Sequence, residues 1–515
     1  MSRTDAHEVL ASRVADWLLP IALLVLAVAG LAVLAVVGYC TIERLSYPYE
    51  LEWMEGVLAD HVTRAAEGRP IYVAPSGEFI PLLYTPLHYH AAAWLTAAGL
   101  DAFRAGRWTG LIGLLGATAV ATWLTSRCTR RPLIALTVPP LVAAAYFACD
   151  GYYDAGRSDG LLALCVAACV AAMMLRNEWA ALALYVAAAT ASVFVKQSVV
   201  VFHVLFLLNL LASRTRLVLI AGAAWAALTG GLALWLNQQT GGWFFFYVWE
   251  TPAAIGMTFE TIWRTVSDDL LGGFAPHTAI LLLATAAWLM TARRASEPAA
   301  GPRERYGVLL LGTLSSMFVC AAGRAVEGGA QNVFIPLAVL GAAFMPAALA
   351  RAADALPGAV RRAVGWRLVL LLLALVMVRG IRDPRPFVPD AAARETWRRF
   401  QDTLARLGSP ERLWVLNHGS ALGSGRSNGP HTIVLVNYLA TQRRAGVLPI
   451  PDDLRRRIES RYFAAVVVRE FEPAAEHLLS PHYAPSPAHE RFELPLFGGA
   501  PVGPERIWLP AGQRR

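Results

Sequence analysis

The chain has 515 residues, of which 56% are hydrophobic and 16% are charged, and its mean hydropathy is +0.46. A soluble domain of this length could not bury so much apolar surface, so the composition excludes a soluble globular protein and indicates a polytopic membrane protein. The formal net charge of +8 is concentrated in short loops and in the C-terminal region, where it favours contact with membrane lipids rather than with nucleic acid.

Apolar segments near the length of a membrane span recur along the first 380 residues. The first, Trp17 to Val37, follows Arg3 and Arg13 and is about 20 residues long, which is too long for a signal-peptide core and predicts a retained signal anchor. Ten more lie at about residues 108–125, 133–149, 160–175, 180–195, 199–212, 217–236, 273–292, 307–322, 333–350 and 366–380. We therefore predict an α-helical membrane fold with about 11 transmembrane helices.

One doubtful segment, Leu82 to Leu100, contains Pro86, His88 and His90, and we predict that it lies on the membrane surface. The arginines support this choice, because short cytoplasmic loops carry an excess of positive charge. If the segment does not span, every basic cluster falls on the cytoplasmic side; if it spans, all clusters after it move outside. These clusters are the N-terminus, residues 126–131, Arg176, and residues 213–216, 293–305 and 351–367.

The region after Gly380 is less apolar, richer in arginine and proline, and long enough for a small domain. We predict a transmembrane domain over residues 1–380 and an extracytoplasmic α/β domain over residues 381–515. The predicted elements are a helix at Pro389 to Leu407, a strand at Arg412 to Leu416, a helix at Asp452 to Arg461 and a strand at Ala464 to Arg469. The proline-rich tail after His477 is predicted to be irregular.

This topology places many polar residues of the loops on the outer face. They are Glu50, Glu52, Glu55 and Asp60 in the first loop, Asp154, Arg157 and Asp159 in the second, Lys196, Gln197 and Ser198 in the third, and the later stretches Trp243 to Asp269 and Gly323 to Asn332. Their convergence indicates chemistry at that face. A simpler explanation is charge asymmetry across the bilayer, which would also favour acidic residues outside.

Lys196 is the only lysine, since the other 44 of the 45 basic side chains are arginines, and it follows the apolar run SVFV. A lysine supplies a compact point charge of the kind that meets a single phosphate group, and ionisable residues in membrane segments indicate function. The alternatives are drift under a composition bias, or a lysine whose charge reaches up to the membrane surface.

Glu52 and Glu55 are three residues apart, so on a helix they share a face. Such a pair could hold a divalent cation, or one member could act as a general base toward a hydroxyl. A solvated helix start would show the same spacing. The six cysteines are scattered, mostly in apolar segments, and form neither a disulfide framework nor a zinc pattern.

Several short motifs follow one another in a specific order. They are Glu55-Gly56, Ala66-Glu67-Gly68 with Ile71-Tyr72, Pro81, Tyr84, Pro86-Leu87, Arg104 or Arg107, Gly156-Arg157-Ser158-Asp159, Lys196-Gln197-Ser198 and Gly328 to Pro336. This order resembles the GT-C superfamily of membrane glycosyltransferases, and within it the bacterial enzymes related to protein O-mannosyltransferases and to the lipid A aminoarabinose transferase. The likeness covers residues 17 to about 350. One departure is that the first motif of the family usually contains an aspartate, where this chain has Glu52 and Glu55.

The resemblance implies an inverting glycosyltransferase of the bacterial inner membrane that takes a monosaccharide from a polyprenyl phosphate donor. The acceptor would be a hydroxyl of an envelope glycan, lipid or protein at the extracytoplasmic face. We expect Glu55, or else Glu52, to be the base and Asp159 to orient the acceptor. Lys196, Arg157 and Gln197 would bind the donor phosphate, and Glu55 with Asp159 would hold a divalent metal cation if one takes part.

Further residues are expected to line the substrate cleft on the basis of this likeness. They are Asp60, Tyr72, Tyr84, His88, Asp154, Gln331 and Asn332. For any one of the aromatic residues, a place in the interfacial aromatic belt is an alternative.

Two other functions are compatible with the same residues. A transporter or lipid flippase could use Lys196, Arg157 and Glu55 to bind a passing anionic head group, although such proteins usually show repeated halves that this sequence lacks. A non-catalytic scaffold in envelope assembly would use the C-terminal domain to bind a partner.

Overall fold

The computed structural model describes residues 3–292, 302–422, 428–444, 450–470, 473–487, 489, 491–499 and 503–512. Within these residues, seven helices are long and apolar enough to cross a membrane: Leu19–Leu45, Ala102–Thr129, Glu178–Val195, Thr215–Gln239, Glu304–Ala325, Gln331–Asp354 and Ala359–Gly380. A bent pair, Phe259–Gly273 and Ala275–Met290, adds an eighth if it counts as one span. Three shorter apolar helices are Pro132–Ala144, Asp159–Ala172 and Gln197–Leu210.

Each of the eleven predicted apolar segments falls on one of these helices, so the prediction of a polytopic α-helical membrane protein is confirmed. Seven or eight of the segments have the full length of a span, and the count of eleven crossings stays a prediction. The most enclosed helix is Gln331–Asp354, with 94% of its apolar window buried, so the other membrane helices surround it.

The C-terminal domain packs on the first loop, and we call the side of the membrane region where they meet the loop face. The Phe497 amide donates to the Leu51 carbonyl at 2.8 Å, and the Gly77 amide donates to the Asp453 carboxylate at 2.8 Å. The first and last membrane helices, Leu19–Leu45 and Ala359–Gly380, therefore both end at this face. A chain arranged in this way crosses the membrane an odd number of times, as the basic loops predict.

The first loop carries two helices, Glu55–Ala66 and Leu87–Ala97. The second lies within the doubtful segment, Leu82 to Leu100, and has only 11 residues. At 1.5 Å per residue it is roughly 16 Å long, about half the thickness of the hydrocarbon core, so it cannot span. Trp94 is 80% exposed on this helix while His88 and Tyr89 are buried, an arrangement that suits a helix lying along the interface.

Two membrane helices approach each other unusually closely beside the second loop. A Cβ atom added to Gly160 would lie 2.0 Å from the Gly110 carbonyl oxygen, and one added to Gly113 would lie 2.5 Å from the Leu161 Cα. Only glycine fits at such contacts, which bring helices Ala102–Thr129 and Asp159–Ala172 together. The same approach places Arg107 on one helix next to the loop that carries Arg157 and Asp159.

The C-terminal domain contains one four-stranded mixed sheet. Its strands are β1 (Leu413–Val415), β2 (Ala465–Arg469), β3 (Tyr483–Pro485) and β4 (Glu505–Pro510), in the order β1-β2-β4-β3. Strands β1 and β2 are parallel, and β4 is antiparallel to both of its neighbours. The domain's longer helices are Ala391–Leu407, Thr432–Arg444, Asp452–Glu459 and Pro473–Leu479.

The two predicted helices and two predicted strands of this domain are confirmed within a few residues. The prediction of an irregular tail after His477 was wrong, because β3 and β4 lie there. Strand β4 inserts between β2 and β3, so pairing distant in sequence stabilises it. Pro485 ends the edge strand β3 and Pro510 ends β4, positions where a missing amide donor is tolerated.

A buried polar cluster joins this domain to the first loop. The His418 Nδ1 atom hydrogen-bonds to the Glu50 carboxylate, and its Nε2 atom lies 3.6 Å from Glu505 Oε1, with all three side chains at most 1% exposed. Burial by itself would lower the pKa of His418, but the neighbouring carboxylates of Glu50 and Glu505 outweigh burial and raise it. The cluster thereby fixes the C-terminal domain to the first loop at Glu50, two residues before Glu52.

We expect this cluster to make domain docking sensitive to pH. Because the folded-state pKa of His418 is raised, its ion pairs contribute fully below about pH 6.5, the unfolded-state value, and are lost as pH rises through the folded-state pKa. His418→Gln should reduce the free energy of unfolding by about 3 kcal/mol at acidic pH, with the difference shrinking at alkaline pH. Denaturant unfolding of the detergent-solubilised protein across this pH range measures the effect. The exposed His477 is the matched control, and an equal loss in His477→Gln would contradict the assignment.

Candidate active site

Lys196 lies where three elements meet at the loop face. It caps the C-terminal end of helix Glu178–Val195, and its Nζ donates to Asp159 Oδ1 at 2.7 Å. Asp159 is the first residue of its own helix, and its other oxygen accepts a hydrogen bond from the Asn332 side-chain amide. The lysine, the aspartate and the asparagine, predicted from separate parts of the chain, are thus in direct contact.

The Lys196 ammonium is the most accessible charge of this group. Its side chain is 12% exposed, whereas that of Asp159 is 1% exposed. Its one hydrogen bond within the described residues leaves two N–H donors for another acceptor. The Tyr84 ring centre lies 5.7 Å from Nζ and forms part of the surroundings. The geometry therefore suits a cation that can meet an incoming anion.

Glu52 and Arg157 form a second buried pair beside this group. The Arg157 guanidinium contacts both carboxylate oxygens of Glu52, with Nε 2.9 Å from Oε1 and Nη2 3.0 Å from Oε2. The Met54 amide donates to Oε2 at 3.1 Å, and the Tyr152 ring packs against the guanidinium at 5.5 Å. Burial raises the pKa of Glu52, and the opposing effect of Arg157 does not cancel it.

Glu55, the first choice for the base, is fully bonded. Its Oε1 accepts from Arg107 Nε at 2.7 Å and from the Gly156 amide at 3.0 Å, and its Oε2 accepts from Arg107 Nη2 at 2.8 Å and from the Leu51 amide at 2.7 Å. With two donors on each oxygen, the carboxylate has no free lone pair for an acceptor hydroxyl. Glu55 therefore fixes the first loop to the second instead of facing a substrate. Of the two arginines that could occupy the charged position of the motif, Arg107 pairs with Glu55, whereas Arg104 pairs with Asp101.

Asp154, predicted to line the cleft, is likewise a structural residue. It is fully buried, pairs with Arg44 Nε at 2.7 Å and accepts from the Tyr146 hydroxyl at 3.1 Å. Arg44 also donates to the Gly151 carbonyl at 2.8 Å and to the Phe497 carbonyl of the C-terminal domain. This network ties the end of the first membrane helix to the second loop and to the C-terminal domain.

A further ion pair contacts Gln331, the residue next to Asn332. Arg324 Nε lies 2.8 Å from Asp269 Oδ2, and the Gln331 side-chain amide donates to Asp269 Oδ1 at 3.2 Å. Gln331 therefore reaches the site through Asp269. Sequence reasoning assigned no role to Arg324, Asp269 or Arg44, although charged residues at the ends of apolar segments are the signal that could have identified them.

Three other predicted residues, Tyr72, His88 and Gln197, bond to backbone carbonyls of the surrounding loops. The Tyr72 hydroxyl donates to the Tyr84 carbonyl at 2.7 Å, and His88 Nε2 lies 3.1 Å from the Gly156 carbonyl. Burial lowers the pKa of His88 to about 4, so the ring is neutral at pH 7. Gln197 uses its amide donors on the carbonyls of Leu83, at 2.7 Å, and Val248, at 3.3 Å, and therefore holds two loops together.

Asp60 lies apart from this group. It lines a recess of about 10 Å³ on the first loop together with Arg64, Arg69 and Glu78. Burial raises the pKa of Asp60 to about 7. The structure thus does not bring Asp60 to Lys196.

The two predicted metal ligands, Glu55 and Asp159, lie in separate ion pairs. Glu55 and Asp159 each pair with a cation, Arg107 and Lys196 respectively. Within the described part of the chain, no group of three or more histidine, cysteine or acidic residues has the geometry to hold a metal ion. The residues present at this face suit an anion better than a cation.

The two arginines at the start of helix Ala102–Thr129 allow a matched test of the Glu55 assignment. Arg107→Gln leaves a buried carboxylate unpaired and should reduce the free energy of unfolding by about 3–5 kcal/mol. Arg104, whose side chain is 45% exposed beside Asp101, should tolerate the same change with a loss below about 1 kcal/mol. Denaturant titration of the two purified variants measures both values. Similar losses in the two would contradict a structural role for the Glu55–Arg107 pair.

No protein-family model matches this sequence, and no curated protein matches it. Among solved structures, the chain is similar to ArnT from Cupriavidus metallidurans bound to undecaprenyl phosphate, with a TM-score of 0.58, 14% identity, and coverage of 92% of this chain and 97% of that one. The apo structure of the same protein gives a TM-score of 0.55, 14% identity, and coverage of 92% and 96%. The likeness extends over nearly the whole length of both chains, so this chain shares the ArnT fold and the fold expected from the motifs is confirmed.

Proposed function

We propose that the protein is an inverting glycosyltransferase that moves a monosaccharide from a polyprenyl phosphate donor to a hydroxyl acceptor at the loop face, which is the extracytoplasmic face of the bacterial inner membrane. The observation that carries the proposal is the lone lysine, paired with a single carboxylate where three elements meet. Its setting is a fold shared with ArnT, a protein crystallised with undecaprenyl phosphate.

The proposed sugar transfer requires a positive charge next to the phosphate leaving group. As the bond between the sugar C1 atom and the phosphate oxygen breaks, negative charge accumulates on the polyprenyl phosphate. Lys196 can meet that charge with its two remaining N–H donors, while Asp159, itself bonded to Asn332, holds the ammonium in place. Asp159 is thus a positioning residue for the lysine, and Arg157 supplies a second positive charge nearby.

The base that the geometry favours is Glu52 instead of Glu55. Glu52 accepts from Arg157 and from one backbone amide, so it keeps lone pairs that the saturated Glu55 lacks. Its raised pKa also makes it a stronger base than an exposed glutamate once it is ionised. An acceptor hydroxyl that loses its proton to Glu52 would attack C1 on the face opposite the phosphate and invert the anomeric centre.

Substitutions at Lys196 test this proposal. In proteoliposomes with a panel of radiolabelled undecaprenyl phosphate sugars and an envelope extract as acceptor, Lys196→Ala should reduce kcat/KM by roughly 10²–10³-fold, the loss typical of removing one charge-stabilising donor. Lys196→Arg should recover little of it, because a planar guanidinium does not reproduce a compact point charge. Release of undecaprenyl phosphate and transfer of the label are both measured.

One control and one further substitution make the result interpretable. Arg104→Gln removes one exposed positive charge from the same face and should leave turnover unchanged. Glu52→Gln should reduce kcat with a smaller change in KM, provided that the variant folds. Wild-type protein that binds the donor without releasing undecaprenyl phosphate, or Lys196→Ala with wild-type turnover, would reject the proposed reaction.

A further inference from the structure

A second polar cavity opens at the loop face, apart from the residues of the candidate active site. Its volume is about 60 Å³. The walls come from the third apolar segment, from the break in the bent helix pair, and from the end of the last membrane helix. The lining residues are Ala144, Ala148, Gly272, Gly273, Ala275, Pro276, His277, Arg379, Gly380 and Arg382.

The lining carries positive charge and no carboxylate. Its ionisable members are His277, Arg379 and Arg382. Neither arginine forms an ion pair within the described residues, whereas the nearby Arg385 is paired with Asp383 at 2.6 Å. Both arginines are exposed residues that border the cavity, and two guanidinium groups there without a counter-charge favour an anion.

His277 adds an independent observation. Both of its ring nitrogens are buried, and neither forms a well-oriented hydrogen bond with the described residues, although the Leu141 backbone lies close to the ring. Buried polar atoms without partners in a structured site call for an explanation, and a ligand in the cavity supplies one. An oxyanion could accept a hydrogen bond from this imidazole.

The backbone contributes in the same direction. The helix Ala275–Ala292 has 18 residues, and its first three line the cavity. The preceding helical segment meets it at 87°, so the N-terminus of a long helix is open toward the cavity instead of being continued by another turn. Pro276 has no amide hydrogen, so this turn offers at most the N–H groups of Ala275 and His277, which act on a bound anion together with the partial positive charge of the helix end.

We propose that this cavity binds a phosphate-type oxyanion, held by Arg379, Arg382, His277 and the first turn of Ala275–Ala292. A volume of about 60 Å³ exceeds the roughly 10–15 Å³ needed for one water and leaves room for a tetrahedral group. The phosphate could belong to a lipid headgroup or be free in solution. The site does not depend on the proposed glycosyl transfer, because none of its residues takes part in that reaction.

The cavity is connected to the candidate active site through one short segment. Gly272 and Gly273 end the π-helical stretch Thr265–Gly273, which also carries Asp269, the partner of Arg324 and Gln331. A phosphate bound in the cavity would therefore lie at the end of this segment. Through Asp269, the same segment is bonded to Gln331, the residue next to Asn332.

The experiment measures binding to purified protein in the Lys196→Ala background, so that the proposed donor site does not contribute. The probes are inorganic phosphate, followed by ³¹P NMR, and dioleoyl phosphatidic acid against dioleoylglycerol, followed by native mass spectrometry. Arg379→Gln combined with Arg382→Gln removes both guanidinium groups, and Ala148→Leu fills the cavity while keeping every charge. Arg385→Gln, 88% exposed and three residues beyond Arg382, is the matched control.

We expect at least one phosphate probe to bind, and binding to fall by roughly tenfold or more both in the double arginine variant and in Ala148→Leu, with Arg385→Gln unchanged. Binding of inorganic phosphate would identify a free oxyanion site, and binding of phosphatidic acid alone would identify a lipid headgroup site. Failure of both probes to bind, or an equal loss in Arg385→Gln, would overturn the proposal. Loss of sugar transfer in Lys196→Ala is a separate result and does not affect it.

Discussion

The arrangement of the loop face depends on the buried contact of Asp159 with Lys196 and Asn332. Removing an ammonium and a carboxylate from water is costly unless each finds a partner with good geometry. Here the carboxylate is bonded on both oxygens, once by the lysine and once by the asparagine. Three elements far apart in sequence must therefore meet at one point. Because the lysine retains unused donors, the contact that organises the face also leaves a cation available for a ligand.

Around this contact, the acidic residues of the loop face divide into two kinds. Glu55 and Asp154 have their oxygens occupied by arginines and backbone or hydroxyl donors, and they connect the first loop, the second loop and the C-terminal domain. Glu52 and Asp159 pair with Arg157 and Lys196, the two cations suited to an anionic leaving group. The difference lies in these partners, since all four side chains are at most 1% exposed. Of the four carboxylates, Glu55 is the one with two donors on each oxygen.

Much of the fold could be predicted from the sequence, because apolar length and basic loops obey simple rules. All eleven apolar segments are helical, and Leu87–Ala97 is too short to span. Strands β3 and β4 were missed, since β4 is defined by its pairing with β2 and β3, and a proline-rich composition gives no sign of distant pairing. The glycine contacts between Gly110 and Gly160 could not be predicted either, because they depend on which helices become neighbours.

For the candidate site, the residue types in the sequence indicated functional positions, but the sequence did not show which residues pair with each other. A lone lysine in an apolar setting indicated a functional position, and the structure places Asp159 against it, with Asn332 bonded to the other oxygen of Asp159. The choice between Glu52 and Glu55 could not be made from a spacing of three residues, since it depends on Arg107, Arg157 and two backbone amides supplied by folding. Asp60 shares the first loop with both glutamates but lies in a separate recess.

The most direct test of the central claim is an experimental structure of the protein with undecaprenyl phosphate bound. We predict that the phosphate lies within about 4 Å of Lys196 Nζ, a contact distance for an ion pair, and that Asp159 and Asn332 stay bonded to one another. A phosphate bound away from Lys196, with the ammonium still paired only with Asp159, would contradict this account.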